Sequence, residues 1–205
     1  MNKQKRARQI ILYAFYITSV CCLQVTFSKV FCLFGRTADL MLVFVALAGY
    51  MFGTLDGIVV GLIVGMFRDY FSGPVIVALD KEPAALLGVG MLAFMYIGLL
   101  SSVLFRRRFR RKLFLGIAQV ELMTIVYSLT GHLVSWLYFT LSGNLTSYYS
   151  PRYIFVSSLL PQLLVNALAS LPILLLLRFV GPYSKGMRST LIDGYSMERE
   201  KWQSV

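Results

Sequence analysis

Asp69 has the clearest claim to chemistry in this chain. It closes a row of glycines, Gly57, Gly61 and Gly65, spaced by four residues, with Gly73 one step beyond and Gly49 and Gly53 leading in. Four residues advance a helix by about 400°, so such a row drifts slowly along one face. Glycine there removes the side chain and lets a neighbouring backbone approach, the logic of small-xxx-small packing. A carboxylate on an apolar stretch is costly unless solvated or paired, which makes Asp69 a functional candidate. Arg68 adjoins it, but consecutive helical residues point about 100° apart, so the two are not expected to pair with each other. Plain packing within one chain, with Asp69 and Arg68 as interfacial anchors, is the simpler reading. Contact with another subunit is the sharper one.

Four more polar side chains, Gln24, Glu121, Gln162 and Asn166, lie inside apolar runs. Gln162 and Asn166 are four apart and share a helix face, and each can bridge helices for about 0.6 kcal/mol. Glu121 can instead reach the basic run from Arg106 to Lys112. His132, the single histidine, stands near Ser128 and Ser135, a pairing that would suit acid–base chemistry. A lone histidine on an apolar helix is more often a hydrogen-bonded packing residue. Cys21, Cys22 and Cys32 are odd in number and lack metal-ligand spacing, so they give no disulfide framework. Asn144-Leu145-Thr146 matches a glycosylation acceptor, a motif short enough to recur by chance. Phosphate-binding glycine loops, zinc motifs and nucleophile elbows do not stand out. These observations favour a scaffold or binding protein over an enzyme, with no cofactor and no metal.

The elements that must position these residues follow from composition. Hydrophobic residues make up 58% of the 205 and charged residues 14%, and the mean hydropathy is +0.71. Soluble domains carry about 25% charged residues, so a chain this apolar cannot cover its own surface in water. The reading is an all-α, polytopic transmembrane bundle. About 20 residues cross a hydrocarbon core of about 30 Å. The first span is expected from Ile10 to about Cys32, with Lys29 snorkelling near its end. Ile10 to Ser28 is uncharged throughout and nearly as long as a bilayer is thick, and no small-x-small cleavage site follows it clearly, so a signal peptide is a poor reading. The segment from Asp39 to Leu79 would be about 60 Å long as one helix, so it must break. Gly53-Thr54-Leu55-Asp56-Gly57 is the best place, giving spans from about Asp39 to Leu55 and from about Gly57 to Ile76, or a tight, partly re-entrant hairpin. After the turn Asp80-Lys81-Glu82-Pro83, further spans run from Pro83 to Phe105, from Leu113 to Thr140 and from Tyr153 to Leu177.

The net charge of +11 is concentrated at the ends of these runs. Lys3, Lys5, Arg6 and Arg8 precede the first span, six basic residues fill 106–112, and Arg178, Lys185, Arg188, Arg199 and Lys201 follow the last. Other loops hold single basic residues, Arg36, Lys81 and Arg152. With six spans all three clusters fall on one side, as the positive-inside rule requires for cytoplasmic loops and termini. Residues 1–9 are then a cytoplasmic tail, 10–180 the membrane domain with its basic loop 106–112, and 181–205 a second cytoplasmic tail. Placed this way, the basic residues argue for the lipid bilayer and against nucleic acid.

Several of these residues resemble the MreD family, the rod shape-determining membrane proteins of bacteria. Leu23-Gln24 looks like that family's Leu-Gln. Asp39-Leu40 looks like its Pro-Asp-Leu, with Ala38 in place of the proline. Gly57, Gly61, Gly65 and Asp69, with Gly73 beyond, look like its glycine-then-aspartate signature. Pro161, Asn166 and Pro172 are similar to its closing helix. The resemblance covers about Leu23 to Val180. It implies a six-helix bundle resembling the substrate-binding component of energy-coupling-factor transporters, in the bacterial inner (cytoplasmic) membrane. It implies a non-enzymatic scaffold of the peptidoglycan elongation machinery, or elongasome, that helps set cell shape. The implied partner is MreC, and through it actin-like MreB, RodA and a class B penicillin-binding protein. The alternatives are a substrate-binding membrane subunit of a vitamin-type transporter, and an intramembrane enzyme using His132 or Asp69.

Overall fold

The computed structural model describes residues 3–26, 32–33, 35–72, 75–76, 84–85, 88–106, 113–141 and 159–182. Among these residues the protein is helical, with six helices: α1 Lys3–Thr26, α2 Leu40–Phe52, α3 Thr54–Ser72, α4 Val89–Arg106, α5 Leu113–Leu141 and α6 Leu160–Phe179. Two short antiparallel ladders join helix ends. β1 Cys32–Leu33 pairs with β2 Arg36–Thr37, Cys32 opposite Thr37, with Gly35 in the turn at φ 74°. β3 Val75–Ile76 pairs with β4 Ala84–Ala85.

The break between α2 and α3 falls on one residue. Gly53 takes φ 106°, a conformation that glycine reaches without the penalty of a Cβ. Its N–H donates to the Gly49 carbonyl at 3.2 Å, and its carbonyl accepts from Gly57 N–H at 2.9 Å. The break is where the sequence puts it, but α3 begins at Thr54, three residues ahead of the expected Gly57. Other helix ends also differ. α1 begins at Lys3, so the basic segment expected as a tail is largely helical, and it stops at Thr26, leaving Cys32 to the first ladder. α4 begins at Val89 and not at Pro83, because Ala84–Ala85 is paired in β4 and Gly88 at φ 93° interrupts the chain before the helix. Lys29, residues 107–112, the loop 142–150, the expected start at Tyr153 and residues 183–205 lie outside the described residues.

α2 is the core of the bundle. Every residue from Leu40 to Met51 is buried, and α2 packs against each of the other five helices. A helix apolar all round belongs in an interior, and LMLVFVALAGYMF is that kind of sequence. Its 13 residues make it about 20 Å long, short of a hydrocarbon core of about 30 Å. Among the described residues three helical stretches are long and apolar enough to cross a membrane: Ala7–Thr26, Phe114–Val134 and Leu160–Phe179. Leu40–Phe52 and Val89–Leu104 are apolar but shorter, and α3 carries Asp56, Arg68 and Asp69.

The helices alternate in direction. At one end, Tyr13 of α1 meets Phe52 at the end of α2, ring centroids 6.0 Å apart, and its hydroxyl donates to Asp56 at the start of α3 at 2.8 Å. Tyr16 donates to the Val180 carbonyl just past α6 at 2.6 Å. Ser102 near the end of α4 bonds Thr54 at 3.0 Å, and Gly116 near the start of α5 abuts Leu174. This end therefore gathers the start of α1, the end of α4 and the end of α6, and with them Lys3, Lys5, Arg6, Arg8, Arg106 and Arg178. The opposite end gathers the starts of α2, α4 and α6 and the ends of α1 and α3.

Candidate functional site

At the end opposite the start of α1 and the end of α6, a buried polar cluster is built around the N-terminus of α2. Asp39 stands at the N-cap, and its Oδ1 accepts from Leu42 N–H at 3.0 Å, satisfying one of the amides that a helix start leaves unpaired. Its other oxygen, Oδ2, takes the Arg68 guanidinium from α3 at 2.6 Å. The flat guanidinium lies against two rings, 5.1 Å from the Phe94 centroid on α4 and 5.0 Å from the Tyr127 centroid on α5. Arginine suits this place because a planar, weakly hydrated cation can stack and still hold a carboxylate. Its partners come from three helices, so Arg68 ties α3 to α2, α4 and α5 at once.

Asn166 of α6 joins the same cluster from the other side. It is fully buried. Its Oδ1 accepts from Asp39 N–H at 2.9 Å and from Gln162 Nε2 at 3.1 Å, and its Nδ2 donates to Thr124 Oγ1 of α5 at 3.0 Å. Thr124 Oγ1 donates in turn to the Val120 carbonyl at 2.9 Å. Gln162 Nε2 also donates to the Thr37 carbonyl at 3.0 Å. Gln24 of α1 accepts from Leu40 N–H at 2.7 Å. Gln24, Gln162 and Asn166 thus converge on the segment Thr37–Leu40, Gln24 from α1, Asn166 from α6 and Gln162 through the Thr37 carbonyl of β2.

Asp69 faces the other way from Arg68 and caps a different helix. It is 7% exposed. Its Oδ2 accepts from Gly88 N–H at 2.8 Å and Met91 N–H at 3.0 Å, and its Oδ1 from Gly90 N–H at 3.0 Å. An anionic oxygen at a helix start satisfies free amides and meets the positive end of the helix dipole. The partner of the carboxylate is thus the start of α4 in the same chain.

The glycine row packs within the chain too. A Cβ on Gly57 would stand 2.6 Å from the Gly98 carbonyl oxygen and 2.8 Å from Gly49 Cα, and one on Gly49 would also meet Gly98. These three glycines bring α2, α3 and α4 together at one crossing. Further along, a Cβ on Gly61 would strike the Phe94 carbonyl, and one on Gly65 would lie 2.6 Å from Met91 Cα. From Gly57 to Asp69, α3 and α4 are therefore in backbone contact, which gains dispersion at the expense of any side chain between them. Gly73 lies outside the described residues.

Sequence reasoning missed Arg68 and Asp39 as an ion pair, and Thr124 and Tyr127 altogether. Glu121 Oε1 and both polar atoms of Gln119 on α5 are buried without a hydrogen-bond partner among the described residues. Gln119 was not singled out by the sequence, although a glutamine five residues before Thr124 on an apolar helix was a signal of the same kind as Gln162. His132 is half-buried on α5. Cys21 is buried and Cys22 exposed, both as free thiols. Among the described residues no three of His, Cys, Asp and Glu are grouped to hold a metal. The arrangement can fix helix ends against one another, and each carboxylate in it is engaged in doing so. No family model, curated protein or solved structure matches the chain.

Proposed function

We propose that this chain is an MreD-type scaffold of a bacterial inner membrane. In this reading all six helices cross or enter the bilayer, with the basic end of the bundle in the cytoplasm. The protein does no chemistry itself and holds an MreC-type partner within the cell-wall elongation machinery, and through it MreB, RodA and a class B penicillin-binding protein. The observation that carries the reading is the use made of the polar residues. Asp39, Arg68, Asp69, Asn166 and Gln162 bond helix ends and one another, which builds a stiff platform and leaves few polar groups free for a ligand. Two further observations support it. Alternating helices bring the basic residues to one end, as the positive-inside rule asks of a multi-pass protein. The MreD-like glycine–aspartate row is the seam along which α3 and α4 meet.

The test is capture of the tagged chain from membranes that also contain an MreC-type protein. The partner is expected in the eluate, and depletion of the chain is expected to round rod-shaped cells. Absence of the partner at matched membrane abundance would overturn the assignment. A second reading, the membrane subunit of a vitamin-type transporter, draws on Gln119, whose amide is buried and unpaired. It predicts instead that transporter ATPases co-purify and that a small vitamin binds.

A further inference from the structure

The structure holds a groove at the basic end of the bundle that the scaffold reading does not use. It is a shallow cleft of about 460 Å³ between α1 and the chain just past α6, lined by Ala7, Arg8, Ile11, Leu12 and Val180. The α1 residues fall at offsets of one, four and five from Ala7, so they form a single helix face. Their order along the axis is amphiphilic. Arg8 stands nearest the basic end, and Ile11 and Leu12 lie about one turn deeper, with exposed Phe15 a further turn on.

Arg8 is the one charged residue among those lining this groove. Lys3, Lys5 and Arg6 occupy the preceding turn of α1, and Arg178 lies two residues before Val180. Arg8 and Arg178 are both exposed, and among the described residues neither forms an ion pair. Asp56, an acid at this end, accepts from Tyr13. The Val180 carbonyl, which would repel an anion, accepts from Tyr16. What remains is a cation at the mouth and an apolar floor leading away from it, open to the side of the bundle.

The geometry points to a binding site for one anionic diacyl phospholipid, with its phosphate at Arg8 and an acyl chain laid over Ile11, Leu12 and Val180. This proposal rests on the membrane reading above. An anionic lipid fits better than a zwitterionic one because nothing in the groove offers a carboxylate to an ammonium headgroup. Basic pockets between helices on the cytoplasmic side are places where anionic headgroups bind.

The test uses the full chain, purified in detergent and offered equimolar phosphatidylglycerol and phosphatidylethanolamine with identical acyl chains, with retained lipid counted by native mass spectrometry. Phosphatidylglycerol should be retained in preference. Arg8→Gln should cut that preference about fivefold, the worth of one basic side chain near an anionic surface. Arg8→Lys should keep most of it. Ile11→Trp fills the groove without changing charge, and should lower phosphatidylglycerol retention. Arg36→Gln removes the same charge at the other end and should leave the preference within about twofold. Equal retention of the two lipids overturns the site, as does an equal loss from Arg36→Gln and Arg8→Gln. Alkaline carbonate extraction separates the two failures. A chain released from membranes overturns the membrane reading itself, whereas an integral chain without headgroup preference overturns only the lipid site.

Discussion

The contact between Asp69 and Gly90 makes a prediction with a sign in it. Gly90 lies in the first turn of α4, and a Cβ there would run into the Asp69 carboxylate. With Asp69 present, Gly90→Ala should destabilise by about 1–3 kcal/mol, the range for overpacking a close contact. Asp69→Ala alone leaves the buried Gly90 N–H unpaired and should cost about 1–3 kcal/mol. Once the carboxylate is gone, however, the three atoms nearest to a Cβ at 90 are gone with it. Alanine then gains up to about 1 kcal/mol over glycine from helix propensity. Gly90→Ala should therefore be harmful in the wild type and neutral or helpful beside Asp69→Ala, a coupling of about 2–3 kcal/mol, within the upper range for residues in contact. Equilibrium unfolding by SDS in mixed micelles would measure it. The thiol of Cys21, 5% exposed in the folded chain, can serve as the reporter in a background carrying Cys22→Ser and Cys32→Ser. If Gly90→Ala has the same effect in both backgrounds, Asp69 does not cap α4. The MreC capture experiment adds a second readout, because a carboxylate reserved for a partner would lose that partner without losing stability.

Arg68→Met leaves Asp39 buried without its cation and should cost about 3–5 kcal/mol in the same unfolding assay, while adding Asp39→Asn should recover much of the loss. Arg68→Lys should remain measurably destabilised, since an ammonium cannot lie flat between Phe94 and Tyr127. Gly98→Ala drives a methyl into the Gly57 backbone and should cost about 1–3 kcal/mol, so even alanine is excluded from this seam. Gly131→Ala on α5 meets nothing within 4 Å and should be neutral or stabilising by up to about 1 kcal/mol; equal unfolding of the two variants would dismiss the seam. Finally, with Cys21, Cys22 and Cys32 replaced, a cysteine at Ser147 should react with an impermeant label on intact cells. Cysteines at Asn2 and Ser189 should not, and labelling at 189 would reverse the topology.

How much was legible depended on how local each cause was. The break at Gly53 could be read because two glycines and an aspartate interrupt one apolar run. The glycine row predicted a packing face, but its other half, Gly90 and Gly98 on α4, was not singled out in the sequence. The helix ends were harder, because a ladder pair such as Val75–Ile76 with Ala84–Ala85 carries no periodic signal in two residues. The polar cluster was the least legible. Arg68 and Asp69 point apart, as helix geometry requires, but their partners come from 29 positions earlier and from 19 to 22 positions later. Moreover, the partners of Asp69 are backbone amides, which no residue type announces. Asp39 could have been read as an N-cap ahead of the apolar run of α2. Nothing in the sequence says that the same carboxylate also receives an arginine from the next helix.

The central position of α2 also bears on how the chain is made. α2 leaves the ribosome ahead of α5 and α6, both of which pack on it. The first residue of α5 follows the last residue of α2 by 61 positions, Phe52 to Leu113, and α6 ends only at Phe179. During most of synthesis, therefore, a 13-residue stretch without a charge waits with α5 and α6 still missing from its flanks. Truncated products ending before α6 would leave it exposed along one side. Burial of α2 therefore waits on the completion of α6, and not on the formation of α2 itself.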